Sequence, residues 1–230
     1  KGIKINILMG RHAGWLTAAS TLGKASEEDG PHLVYVPEKP FIVEDFKKEV
    51  KEVYDSLGRC VVAVSEGTQG DDGEYFLQTY AREAGSSLAG QKDSHGNIQL
   101  SGSGLLGDTL AQIISKHIET ARVRADTFGY LQRSFLADVS EVDADEAERV
   151  GKHAVVCSKS SNSGSVILRR QLSEKYFSDV DVVDLHKVAK HTKNMPKEFL
   201  DQNRPYVTND FFEYAMPLTG GIEPKTQIFV

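Results

Sequence analysis

Two cysteines in 230 residues, with no Cys-x-x-Cys spacing, leave no disulfide framework and no thiolate metal site to argue for. Cys60 lies in an apolar strand-like run and Cys157 follows the apolar end of a helix-like one, so both are expected as reduced, inert core thiols. No apolar run approaches the roughly 18 residues that span a membrane. No secretory signal is visible either, and a cytoplasmic location is expected. Basic residues (27) are outnumbered by acidic ones (33), a net charge of -6 with no basic stripe, which argues against a nucleic-acid partner. A small anionic ligand stays open, because a few arginines focused in a cleft override a mildly negative overall field. What is present is ordinary for a globular chain: 40% hydrophobic and 26% charged residues. A chain of this length buries on the order of 70% of its unfolded surface and needs no covalent staples.

Apolar runs rich in β-branched residues alternate with longer helix-like segments. Ile3 to Leu8, Leu33 to Val36, Cys60 to Val64 and Arg122 to Phe128 read as strands. His12 to Lys24, Val43 to Leu57, Phe76 to Glu83, Leu105 to Glu119 and Asp143 to Val156 read as helices, the last with Ser140 as its N-terminal cap. Cys-Val-Val-Ala-Val is continuously apolar, the mark of a strand covered on both faces. Val166 to Leu168 and Val180 to Val183 are further short strands, and Asp93 to Leu100 reads as a hairpin. Gly67 to Gly73 is polar and glycine-rich, and its acidic cluster, Asp71, Asp72 and Glu74, reads as a solvated turn. This alternation predicts an α/β fold, a Rossmann-like three-layer domain with a mostly parallel sheet.

Ligands of open α/β sheets sit at the carboxyl ends of the strands, and three of these ends carry polar cargo. The first strand runs into Met9-Gly10-Arg11 and then towards a helix, which would set free backbone donors beside a guanidinium. The Cys60–Val64 strand runs into Ser65-Glu66-Gly67, where a carboxylate can accept from sugar hydroxyls. The third continues from Arg124 through Gly129 to Tyr130, Leu131, Gln132 and Arg133. Arginine grips phosphate oxygens two at a time, and Tyr130 and Gln132 add neutral donors. Singly each motif is a common surface turn; together, two arginines and a glutamate describe a sugar-phosphate pocket. His186 and His191 are five apart, the wrong spacing for ligands on one helical face, and no metal is assigned to any histidine.

In order and spacing these segments resemble the carboxyl-terminal half of the 6-phosphofructokinases. Tyr130, where the ATP-dependent bacterial enzymes usually carry histidine, resembles the pyrophosphate-dependent branch. So do Gln91-Lys-Asp, Gly96, Gln99-Leu100 and the helix ending Val150-Gly151-Lys152-His153-Ala154-Val155. The resemblance covers most of residues 1–195. It implies that Met9, Gly10 and Arg11 contact fructose 6-phosphate, with Arg11 near the phosphoryl group in flight. Glu66 would bind sugar hydroxyls, while Tyr130, Leu131, Gln132 and Arg133 would hold the 6-phosphate end. Arg124 would reach into a neighbouring subunit, which implies a homo-oligomer, at least a dimer.

The same resemblance implies that the donor loop, the magnesium-binding segment and the catalytic aspartate precede the Met-Gly-Arg loop, where this chain has only Lys1 to Leu8. The chain is therefore expected to be a substrate-binding half, inactive alone, with Mg2+ and pyrophosphate held mainly by the other half. Residues 1–133 are expected as the substrate-binding domain and 134–195 as a segment packing on the absent amino-terminal domain. Residues 196–230 are expected as a tail returning to the substrate domain. The implied reaction is the glycolytic transfer of a phosphoryl group from pyrophosphate to fructose 6-phosphate, giving fructose 1,6-bisphosphate. Two alternatives remain open: an ATP-dependent 6-phosphofructokinase, and a non-catalytic sugar-phosphate-binding or regulatory subunit.

Overall fold

The structure, a computed structural model, describes residues 2–83, 104–135, 139–160, 163–173 and 175–222. The expected hairpin at Asp93–Leu100, with the Gln91–Leu100 motif, lies outside the described residues. Contacts divide the chain into two compact units, one holding Lys1–Ser134 and Asn194–Phe211, the other Phe135–Lys193 and Phe212–Glu223.

The first unit is built on a four-stranded parallel sheet of β1 (Gly2–Leu8), β2 (Leu33–Tyr35), β3 (Arg59–Ser65) and β4 (Val123–Thr127), in the order β2-β3-β1-β4. In β1 the period-two alternation turns Ile3, Ile5 and Ile7 to one face, level with Cys60, Val62 and Val64 of β3. Three helices cover that face: α2 (Val43–Leu57), α3 (Phe76–Glu83) and α4 (Leu105–His117). Phe46 and Val50, one turn apart on α2, are fully buried, as are Leu110 and Ile114 of α4. Phe46 lies in a ring cluster with Tyr35 and Phe41, at centroid separations of 5.4 and 5.2 Å. The other face carries α1 (Trp15–Ala19), whose Thr17 and Ala18 are wholly buried. The result is the expected three layers.

Helix α1 is shorter than the His12–Lys24 span read from sequence. Ser20 and Thr21 turn their hydroxyls back onto the Thr17 and Ala18 carbonyls, and the chain leaves the helix there. Cys60 is a core thiol as expected, its pKa pushed up to about 12 by burial, whereas Cys157 is only half-buried.

In the second unit α6 (Glu141–Cys157), which follows a short α5 (Leu131–Ser134), packs on an antiparallel pair, β5 (Ser165–Arg170) and β6 (Ser178–Val183). Ser140 caps α6 as expected, accepting from Asp143 N at 3.2 Å. Buried Glu146 is satisfied by the hydroxyls of Tyr176 and Ser178, and Arg149 ties α6 to the Ser178 carbonyl at 2.8 Å. The tail departs from the expected single return. Residues 194–211 rejoin the sheet unit, where Val34 N donates to Pro205 O at 2.7 Å. Residues 212–223 join the second unit, because Arg170 donates to the Tyr214 carbonyl at 2.6 Å and Ser140 to that of Leu218 at 2.7 Å.

Phe46 supplies more packing than any other α2 side chain, so Phe46→Ala is expected to cost about 3–5 kcal/mol. Urea unfolding checks this, and a loss below about 1 kcal/mol would mean the cluster is not the core.

Candidate functional site

Helix α1 follows β1 on one face of the sheet, while α3 and α4 follow β3 on the other. Adjacent strands whose connections leave to opposite faces open a crevice at their carboxyl ends, where doubly wound sheets bind ligands. Met9-Gly10-Arg11 and Ser65-Glu66-Gly67 occupy that crevice and are bound to each other. Glu66 N donates to Leu8 O at 2.9 Å, Ser65 Oγ donates to the Gly10 carbonyl, and Gly10 N reaches Glu66 Oε1 at 3.5 Å. Gly10 has φ 153°, and a Cβ there would stand 2.7 Å from the Ala13 carbonyl oxygen. A Cβ on Gly67 would overlap the Arg11 carbonyl outright. Only two glycines allow the loops to lie this close.

The helix start expected directly after Arg11 lies further along, and its first amide is already taken. Helix α1 begins at Trp15, and the Gly14 amide before it is occupied by the Glu38 carboxylate, both of whose oxygens lie at 3.1 Å. Glu38 Oε1 also accepts from Met195 N at 3.0 Å, so the returning tail is part of this support. Glu38 and Met195 were not legible as site residues, because nothing in their local sequence signals a bond across such separations.

The third strand end comes close through its arginine. Phe128 N donates to Ile7 O at 3.0 Å, the chain turns at Gly129, and Arg133 N donates to Tyr130 O at 2.9 Å within α5. The Arg133 guanidinium lies 5.7 Å from the centre of the Tyr130 ring. Tyr130 and Leu131 are exposed, and the side chain of Gln132 lies outside the described residues. Burial raises the Glu66 carboxyl above its ordinary range, opposed by the Gly10 amide and by the charges of Arg11 and Arg133. Both guanidinium groups are therefore within electrostatic reach of one carboxylate. The structure thus joins the Met9–Arg11 and Ser65–Gly67 loops directly, while Arg133, with Tyr130 beside it, acts on Glu66 only through its charge.

Arg124 is apart from them. It faces Lys4 across the sheet, three residues back from the end of β4, or about 10 Å. Its side chain is exposed on the outer strand. Among the described residues no three histidine, cysteine or acidic side chains gather as a metal site. Glu66 is the one carboxylate of the Met9–Arg11 and Ser65–Gly67 loops, too few oxygen ligands for an all-protein magnesium cage. No helix of the described residues is long and apolar enough to cross a membrane.

A parallel sheet with a switch point between β1 and β3 defines a doubly wound α/β protein. The phosphofructokinase family model matches residues 3–158, and the chain belongs to that family. It is 47% identical over 220 residues to a pyrophosphate–fructose 6-phosphate 1-phosphotransferase of Rhodospirillum rubrum, covering 95% of this chain and 52% of that protein. A protein of the same name from Xanthomonas campestris pv. campestris is 34% identical, over 94% of this chain and 49% of its own length. The crystal structure of a pyrophosphate-dependent phosphofructokinase from Marinobacter aquaeolei superposes with TM-score 0.76 at 27% identity, over 96% of this chain and 49% of that one. The chain spans about half the length of the curated relatives it matches.

A carboxyl whose folded pKa is raised costs stability as pH climbs past its unfolded value, and the cost is complete above the folded one. Glu66→Gln is therefore expected to raise the melting temperature at neutral pH, with the gain vanishing below about pH 4. Melting curves across that range check this; a gain independent of pH would refute it.

Proposed function

We propose that this chain is the sugar-phosphate-binding half of a pyrophosphate-dependent phosphofructokinase. The observation that carries the reading is the buried Glu66 carboxylate, bonded to the Gly10 amide at the docked Met9–Arg11 loop and influenced by the charges of Arg11 and Arg133. The names of the relatives supply the substrates. Fructose 6-phosphate lies with its hydroxyls on Glu66 and the Met9–Arg11 loop and its 6-phosphate on the segment from Tyr130 to Arg133. The 1-hydroxyl oxygen attacks a phosphorus of pyrophosphate, the bridging P–O bond breaks, and orthophosphate leaves. The hydroxyl proton passes to a base outside this chain. Arg11 neutralises charge on the phosphoryl group, and such transfers depend mostly on positioning and charge stabilisation. Magnesium would be held by the other half, where it would neutralise charge on the pyrophosphate.

Arg124, exposed and some distance from the Glu66 crevice, serves the pocket of a second subunit. Val155 and Val156, 65% and 62% exposed on α6, belong to a face that packs on the half the relatives have in addition. The complete enzyme works in the cytoplasm, in glycolysis, as a homo-oligomer.

In the complete enzyme Arg133→Ala removes charged hydrogen bonds of roughly 1.5–3 kcal/mol. It is expected to raise KM for fructose 6-phosphate about ten- to a hundredfold. Steady-state kinetics with pyrophosphate check this, and an unchanged KM would overturn the assignment.

A further inference from the structure

The segment Gly67–Gly73, a solvated turn by its sequence, does not simply project into solvent. Gln69 and Tyr75 form an antiparallel bridge, Gly70 N donates to Glu74 O at 2.9 Å, and Phe41 N donates to Gln69 O at 2.8 Å. Asp71 and Asp72 lie at the exposed tip, as their charges require. The return strand of this small hairpin runs into α3, where the Tyr75 carbonyl accepts from Gln78 N at 2.9 Å and Thr79 N at 3.2 Å. Tyr75 is therefore fixed by its backbone on both sides. Its half-buried side chain is carried back to the crevice, and its hydroxyl lies 3.5 Å from His12 Nδ1.

The surroundings of that hydroxyl define what it can do. Burial raises the phenol above its ordinary range, while Arg11 pulls it down and Glu66 pushes it up. The group therefore stays a neutral O–H at working pH, a donor rather than a base. The same two charges flank the proposed sugar site. His12 directly follows Arg11, whose backbone is pressed against Gly67. One side of the Arg11 loop is thus held by Ser65, Glu66 and Gly67, and the Tyr75 hydroxyl lies against His12, the residue after Arg11.

We propose that Tyr75 is a positioning residue: its hydroxyl, donating to His12 Nδ1, fixes how Arg11 is presented to the transferring phosphoryl group. This rests on the role given to Arg11 above. A bond that orients the Arg11 charge towards the transferring phosphoryl group affects turnover more than substrate binding.

The test uses the complete enzyme with saturating pyrophosphate and magnesium. Tyr75→Phe keeps the ring and removes only the hydroxyl, and kcat is expected to fall about three- to tenfold, the size of one neutral hydrogen bond. KM for fructose 6-phosphate is expected to stay within about twofold, since Glu66 and the Tyr130–Arg133 segment still hold the sugar phosphate. His12→Leu should cause the same loss, and the double variant should be no worse than either single one. His12→Asn, which restores an acceptor near the Nδ1 position, should recover most of the turnover. An unchanged kcat, an effect confined to KM, losses that multiply in the double variant, or no difference between His12→Asn and His12→Leu would each overturn the proposal. Failure of the sugar-phosphate reading is separately visible, as an unchanged KM in Arg133→Ala.

Discussion

The close approach of two strand-end loops is the constraint on which the site depends. Parallel neighbours β1 and β3 deliver Met9–Arg11 and Ser65–Gly67 to one place, but delivery alone would leave two loops side by side. Contact at van der Waals range requires glycine at 67, where any side chain would overlap the Arg11 carbonyl. It also requires the extended, positive-φ backbone of Gly10, which frees its amide to face Glu66. The hydrogen bonds from Ser65 Oγ and Glu66 N then hold the register. Without this docking, Glu66 would be a solvated loop carboxylate and Arg11 a surface charge.

Burial of Glu66 follows from the same contact and sets its electrostatics. Desolvation outweighs the attraction of two guanidinium groups, so the carboxyl is held above its ordinary range. A carboxylate in that condition has lost hydration, and hydroxyl donors from a bound sugar would replace it. Charge is also unevenly distributed over this acidic chain. Arg11 and Arg133 are focused where the strands end, while the excess of aspartate and glutamate is spread over helices such as α2 and α6, much of it in local pairs like Lys47–Glu44 and Lys152–Glu148.

The sheet unit was readable because its signals are local. Val43–Leu57 and Phe76–Glu83 carry a helical stripe, and Cys60–Val64 is too continuously apolar to be anything but a doubly covered strand. The polar strand ends were readable for the same reason. Bonds made over long separations were not. Glu38 closes the start of α1 and holds Met195, and Tyr75 reaches His12 across 63 positions, yet neither residue has an unusual local context. The division of the tail was hidden likewise, since it depends on Arg170 and Ser140 finding main-chain carbonyls near residues 214 and 218.

A structure of the complete enzyme crystallised with fructose 6-phosphate bears most directly on the sugar-phosphate site. The 6-phosphate is expected within hydrogen-bond distance of Arg133, about 2.7–2.9 Å, with a sugar hydroxyl on Glu66 and the Met9–Arg11 loop alongside. A sugar phosphate bound elsewhere, with the Glu66 crevice filled only by solvent, would contradict the assignment.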